Sequence, residues 1–373
     1  MKLPQGTKES KKEGKRMIRK MIFWSVAVFW ALSFISMGSA VPASAQTMEL
    51  TFQHFLPPAG LMSDVYRKWG ELIEKRTEGR IKIKWIWSVT RHKDLLEVGQ
   101  GKADFGLGSG AYHPTLLPTI SVFEHAYNAS DLWVGVRATS NLFLKRMPEL
   151  QKEFEANGVK WLAPYTSGRF QWFLKGTWNS SDDLKGKVGR TMGGARKVWY
   201  ERMGLKPVFL TVNAIDEAME KGKIWGFENT LALANTLKHY KVSNTLVLPN
   251  SGVVMSVYTI MNLKKFNSLS KKDQKTIIDA GAEWSENMLA RAIHEKEEGL
   301  IQEWKKRGIT VVYPKPEDVA KMKKIGRDAA MELAKQGDQK MGPKGQAVKA
   351  LTALWDEVEK AEKELKEKGY PWK

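Results

Sequence analysis

Residues 48–53, Met-Glu-Leu-Thr-Phe-Gln, alternate apolar and polar positions, the period of a half-buried strand. A proline- and glycine-rich turn at 56–60 follows. Leu61, Val65, Trp69, Leu72 and Ile73 then recur at helical spacing, up to a stop at Glu78-Gly79. Residues 81–87 alternate again, 93–99 read as a short helix, and Phe105-Gly106-Leu107 as a strand. Strands and helices in this order predict a parallel α/β lobe.

The same rhythm restarts near Gly168. Residues 170–174 and 187–191 read as strands, 195–203 as a helix, and Val208-Phe209-Leu210 as a strand. Asn213 stands where a helix with Ile215, Ala218 and Met219 inward begins. Residues 253–262 form an apolar run that predicts one long strand. A long helix follows, with Ser270 and Asp273 as its capping box and Ile277, Gly281, Trp284, Met288, Ala292, Leu300 and Trp304 as its stripe. Residues 309–312 predict a strand, and 347–368 an amphipathic tail helix carrying Leu351, Leu354, Trp355, Val358 and Ala361 inward.

Composition adds three constraints. Residues 1–20 hold eight Lys/Arg and two Glu, and residues 21–48 hold no charge. An apolar stretch and Ala43-Ser44-Ala45 complete the order of a secretory signal peptide over residues 1–45, which places the protein in the periplasm. The uncharged stretch is also long enough for an anchor, but Gly38, Pro42 and the small-x-small site favour cleavage. Removing the leader's +6 from +19 leaves +13, spread along the chain and interleaved with acids, with no basic helix or RNA-binding motif. That argues against nucleic acid and is compatible with drawing in anions. The absence of cysteine excludes disulfides, thiol catalysis and cysteine zinc sites.

The candidate chemistry lies at strand ends. Arg190 closes Ser181-Asp182-Asp183-Leu184-Lys185-Gly186-Lys187-Val188-Gly189-Arg190, and Asn229 closes Gly226-Phe227-Glu228-Asn229. A guanidinium offers two parallel N–H donors that match a carboxylate, and an amide nearby can add a third. Gln53 and His54 end the first strand, where α/β folds place ligand groups, although a structural histidine fits His54 equally well. Ser109 and Tyr112 follow the 105–107 strand and could line the first-lobe wall. Asn213 faces them from the other lobe, or simply caps its helix, and Trp225 could stack on or cover a ligand. The scattered histidines, the missing nucleophile elbow and the missing GxGxxG loop give catalysis, a metal or a cofactor no support.

From 50 to 54, 77 to 83, 168 to 229 and 261 to 269, the chain resembles the solute-binding proteins of tripartite ATP-independent periplasmic (TRAP) transporters, of the dicarboxylate-binding DctP type. The resemblance implies that Arg190, in the Leu-Lys-Gly phrase, pairs with a ligand carboxylate, that Asn229 lies near it, that Glu228 orients Arg190, and that Arg169 is a second ligand arginine. Gly189 departs from the family's branched residue and Trp225 from its aspartate.

The fold expected is a periplasmic binding protein-like α/β fold, two lobes with a ligand cleft and a long helix after the hinge strand. The expected division is 46–167 for the first part of lobe 1, 168–254 for the first part of lobe 2, 255–295 for the lobe 1 return and long helix, and 296–373 for completion of lobe 2 and the C-terminal helices. The expected function is non-enzymatic capture of an organic acid, delivered to the small and large TRAP membrane subunits. A periplasmic sensor of a signalling system is the alternative, and a periplasmic enzyme the weaker one.

Overall fold

The computed structural model describes residues 47–89, 94–342 and 345–373. The leader and its cleavage signal, and the first residue of the 93–99 helix, lie outside the described residues. No helix among the described residues is long and apolar enough to cross a membrane.

Two mixed sheets organise the chain. The first has the order β2-β1-β3-β10-β4, built from β1 (Met48–His54), β2 (Ile81–Trp87), β3 (Phe105–Ser109), β4 (Val159–Pro164) and β10 (Val257–Asn262). β1 runs parallel to β2 and β3, as the strand–helix alternation predicts, while β10 is antiparallel to β3 and β4. The second has the order β11-β9-β5-β8-β6-β7, from β5 (Phe170–Leu174), β6 (Val188–Thr191), β7 (Lys206–Phe209), β8 (Gly226–Thr230), β9 (Thr245–Val247) and β11 (Thr310–Val312).

The chain passes from β4 to β5 and returns from β9 to β10, and the two crossing segments touch. Arg169 bridges Val253, and Phe170 N–H donates to the Gly252 carbonyl at 2.8 Å. Gly252 is required there: its φ is +97° and a Cβ would sit 2.9 Å from the backbone nitrogens of Tyr127 and Asn128. The long strand expected over 253–262 is therefore shorter. Only Val257–Asn262 joins the first sheet, because the N–H groups of Met255 and Ser256 turn instead to the Glu124 carboxylate, at 3.2 and 2.9 Å.

The long helix links both sheets. It runs through Lys271–Glu283, a π-helical turn at Trp284–Leu289, and Ala290–Lys306. Trp284, fully buried, donates to the Val65 carbonyl at 2.8 Å beside the first sheet. Trp304, also fully buried, meets Phe173 of β5 edge-on at 5.6 Å. The tail helix spans Ala347–Lys368. Two helices carry no readable stripe. Leu132–Asn141 is buried nearly all round, and Pro316–Met341 buries mostly small residues, among them Gly326, Ala329, Ala330 and Ala334.

The Ser270 cap forms, its hydroxyl accepting from Asp273 N–H at 3.1 Å. Asp273 is also gripped by Arg80 through two bonds of 2.8 Å, tying the start of β2 to the long helix. The Arg80 hydrogen bonds hold the Asp273 carboxyl below its ordinary range. A depressed carboxyl contributes its full stability above the unfolded value near pH 4 and loses it as pH falls through the folded value. Asp273→Asn should therefore cost about 1–3 kcal/mol at pH 7 and much less at pH 3, measured by urea unfolding at both.

Candidate ligand site

β6 and β8 lie side by side and parallel, with Arg190 in register with Phe227. Side chains alternate along a strand, so Arg190, Phe227 and Asn229 share one face, while Gly189 and Glu228 point to the other. On that other face Tyr200 fills the space a side chain at 189 would need: a Cβ there would approach Tyr200 to 3.1 Å and Leu205 to 2.7 Å.

Arg190 is 4% exposed, yet every group it reaches is neutral. Its Nε donates to the Leu210 carbonyl at 2.9 Å, one Nη to the Tyr112 hydroxyl at 3.1 Å, and the other approaches the Glu228 carbonyl at 3.5 Å. Among the described residues no carboxylate comes within ion-pair distance of it. A buried guanidinium without a counter-charge is costly in a low-dielectric surround. Tyr112 follows β3 of the first sheet, so its contact with Arg190 spans the two sheets. The gap that Arg190 borders is too narrow to hold a water molecule and reaches round to the Glu228 face, with Phe170, Thr191, Met192, Arg196, Tyr200 and Glu228 in its wall.

Asn229 is 3% exposed. Its Oδ1 accepts from Thr230 N–H at 2.8 Å, and its Nδ2 lies 3.0 Å from Nδ1 of His239. Burial first, and the Arg190 charge second, hold His239 down at about 3, so it stays neutral. Ser109 caps the Tyr112 loop, its hydroxyl accepting from Tyr112 N–H at 3.4 Å.

Several expected contacts take another form. The Glu228 carboxylate does not orient Arg190. Its strand parity sends it to the opposite face, where it accepts from Arg196 at 2.7 Å, from Tyr200 at 3.3 Å and from Ser251. Only its backbone carbonyl faces Arg190. Arg169 is held by Glu297 of the long helix, through bonds of 3.0 and 2.6 Å. Trp225 precedes β8 and sits at the opposite end of the strands from Asn229, under Lys187 at 5.6 Å, so it does not cover Arg190. Asn213 is exposed within a 3-10 turn and caps no helix. His54 is fully buried among Phe55, Tyr66 and Trp87, its Nδ1 accepting from Leu56 N–H. Gln53 donates to Asp94 at 3.1 Å.

Sequence reasoning missed Arg196 and His239. Arg196 is 2% exposed, between Glu228 and Glu124, the latter at 3.9 Å, and stacks on Phe170 at 3.7 Å. Burial pushes the Glu124 carboxyl up, against the pull of Arg196 and the bonds from Ser256. The Gly193-Gly194 turn before the Gly194–Arg202 helix was the local signal, since it lets the helix start close to Ala111 and Ser121.

Residues 52–336 match the family described as bacterial extracellular solute-binding protein, family 7, or DctP. A solute-binding protein of Sulfitobacter sp. is 25% identical over 277 residues, covering 70% of this chain and 82% of that protein. An uncharacterized protein of Haemophilus influenzae is 25% identical over 302 residues, covering 76% and 87%. Among solved structures, a TRAP periplasmic solute-binding protein from Desulfovibrio salexigens with bound orotic acid superposes with a TM-score of 0.74 at 20% identity, covering 84% of this chain and 99% of that one. A TRAP solute-binding protein from Rhodoferax ferrireducens in complex with copurified benzoate gives 0.75 at 18% identity, covering 85% and 99%. These likenesses establish the periplasmic binding protein-like fold.

The two buried arginines should respond differently to removal. Arg196→Met orphans the Glu228 carboxylate and should cost about 3–5 kcal/mol. Arg190→Met removes a charge that has no partner and should change ligand-free stability by no more than about 1 kcal/mol. Urea unfolding of both variants without ligand checks this; equal losses would contradict it.

Proposed function

This chain belongs to the family 7 (DctP) bacterial extracellular solute-binding proteins, and on that premise we propose that it captures an organic acid by pairing the acid's carboxylate with Arg190. The observation that carries this reading is the buried Arg190 charge, met only by neutral acceptors. A carboxylate accepts two parallel N–H bonds and supplies the missing counter-charge. Asn229 adds a donor from the same sheet face. Met192 and Phe209 offer apolar surface for the body of the acid, Phe209 meeting Tyr112 edge-on at 5.6 Å.

Capture follows from the two-sheet arrangement. The gap beside Arg190 has no room for a ligand, so the acid enters when the sheets stand further apart. Arg190 and Asn229 belong to the second sheet, and Tyr112 and Ser109 to the first. A carboxylate on Arg190 gains the first-sheet contacts only on closure, so binding shifts the population toward the closed form. The closed form is the shape offered to the TRAP membrane subunits, after export of the protein to the periplasm. Solved relatives hold orotic acid, benzoate, 3-hydroxybenzoate, pyroglutamic acid and galacturonate, which makes these acids the natural panel.

Thermal-shift titration of orotate, benzoate, 3-hydroxybenzoate, pyroglutamate and galacturonate against wild type and Arg190→Ala tests the proposal. An acid that stabilises wild type should lose on the order of 3–5 kcal/mol of binding in the variant. Equal stabilisation of both proteins would overturn the assignment of Arg190.

A further inference from the structure

The Asn229 amide is fixed from two sides. Thr230 N–H donates to its Oδ1 at 2.8 Å, which settles which end of the amide is oxygen. Nδ2 therefore faces His239, and at 3.0 Å the ring nitrogen it meets, Nδ1, must accept. The ring's proton then lies on Nε2, which stands 3.7 Å from the Asp216 carboxylate. His239 is 2% exposed, and the Phe227 ring meets it edge-on at 5.3 Å, so the imidazole has little freedom to turn. One hydrogen of Nδ2 is used by His239, and the other has no partner among the described residues. Asn229 shares the sheet face of Arg190, two residues beyond its register partner.

We propose that His239 is a positioning residue of the acid site: it locks the Asn229 amide so that only an N–H donor, never the amide oxygen, is presented beside Arg190. This rests on the reading of Arg190 as the carboxylate anchor. An amide held in this sense rewards a group that only accepts, an ionised carboxylate, over a carboxamide that must place its own donor. Were the amide free to rotate, Oδ1 could serve a carboxamide and the discrimination would shrink. His239 keeps this role while neutral. The groups that face it are Arg190 from β6, which disfavours its protonation, and Asp216, whose Oδ1 lies 3.7 Å from Nε2. Lys241, in the same short turn as His239, acts on Asp216.

The test uses the mature protein, with benzoate and benzamide as probes in isothermal titration. His239→Phe keeps a flat ring against Phe227 but has no acceptor, and His239→Gln restores one. Benzoate affinity should fall about tenfold in His239→Phe, with a narrower benzoate-over-benzamide ratio, and should return to within about threefold of wild type in His239→Gln. The ¹⁵N shifts of His239 in ligand-free wild type should show a bare Nδ1 and a protonated Nε2, a readout that needs no variant to fold. A proton on Nδ1 would overturn the proposal. So would an unchanged benzoate-over-benzamide ratio in His239→Phe while Arg190→Ala abolishes benzoate binding, which leaves the anchor standing. Benzoate binding unaffected by Arg190→Ala would instead remove the anchor itself, and the positioning role with it.

Discussion

A guanidinium buried at the end of a strand with only neutral groups around it is the constraint on which the rest depends. The protein contains its own control. Arg190 and Arg196 are six positions apart and equally hidden, at 4% and 2% exposure. Arg196 is matched by Glu228 and approached by Glu124. Arg190 has a backbone carbonyl, a phenol and a second, distant carbonyl. Burying an ion costs several kcal/mol, and a fold normally recovers that with a counter-ion. Leaving one cation unmatched while matching its neighbour makes sense if the missing charge arrives from outside.

The matched arginine serves the scaffold. Arg196 reaches the Ser251 carbonyl at 2.9 Å, on the segment where the chain returns from the second sheet to the first. Glu124 accepts from the Met255 and Ser256 amides further along that segment. One buried polar network thus fixes the crossing, and the same helix start brings Gly193 and Gly194 against Ala111 and Ser121. The loop carrying Tyr112 is held a short distance from Arg190 as a consequence. Rigid support on one face of β6 and β8 leaves Arg190 and Asn229 on the other, where we propose that the acid is recognised.

Much of the fold was legible because its period is strong. The alternation at 48–53 and 81–87 and the stripe of the tail helix correspond to β1, β2 and Ala347–Lys368. Pro316–Met341 was not, because small residues such as Ala329 and Ala330 bury a face without raising its hydropathy. The shortened β10 depends on a side chain 132 positions away, Glu124 against Ser256, which no local pattern reveals. The role expected of Glu228 failed on a point the sequence did contain. Adjacent strand residues face opposite ways, so Glu228 and Asn229 could not both turn to Arg190. His239 had no signal, since its partner Asn229 is brought to it by tertiary folding. The tryptophans were mostly spent on the core: Trp69, Trp161, Trp172, Trp199, Trp284 and Trp304 are fully buried, and none lines the narrow gap that Arg190 borders.

The central claim is that the counter-charge of Arg190 is a ligand carboxylate, and the most direct measurement is a crystal structure of the protein with a bound organic acid. The account predicts both carboxylate oxygens within hydrogen-bond distance of the Arg190 guanidinium and one of them within reach of Asn229 Nδ2. A bound acid whose carboxylate lies elsewhere, with Arg190 still joined only to Leu210 and Tyr112, would contradict it.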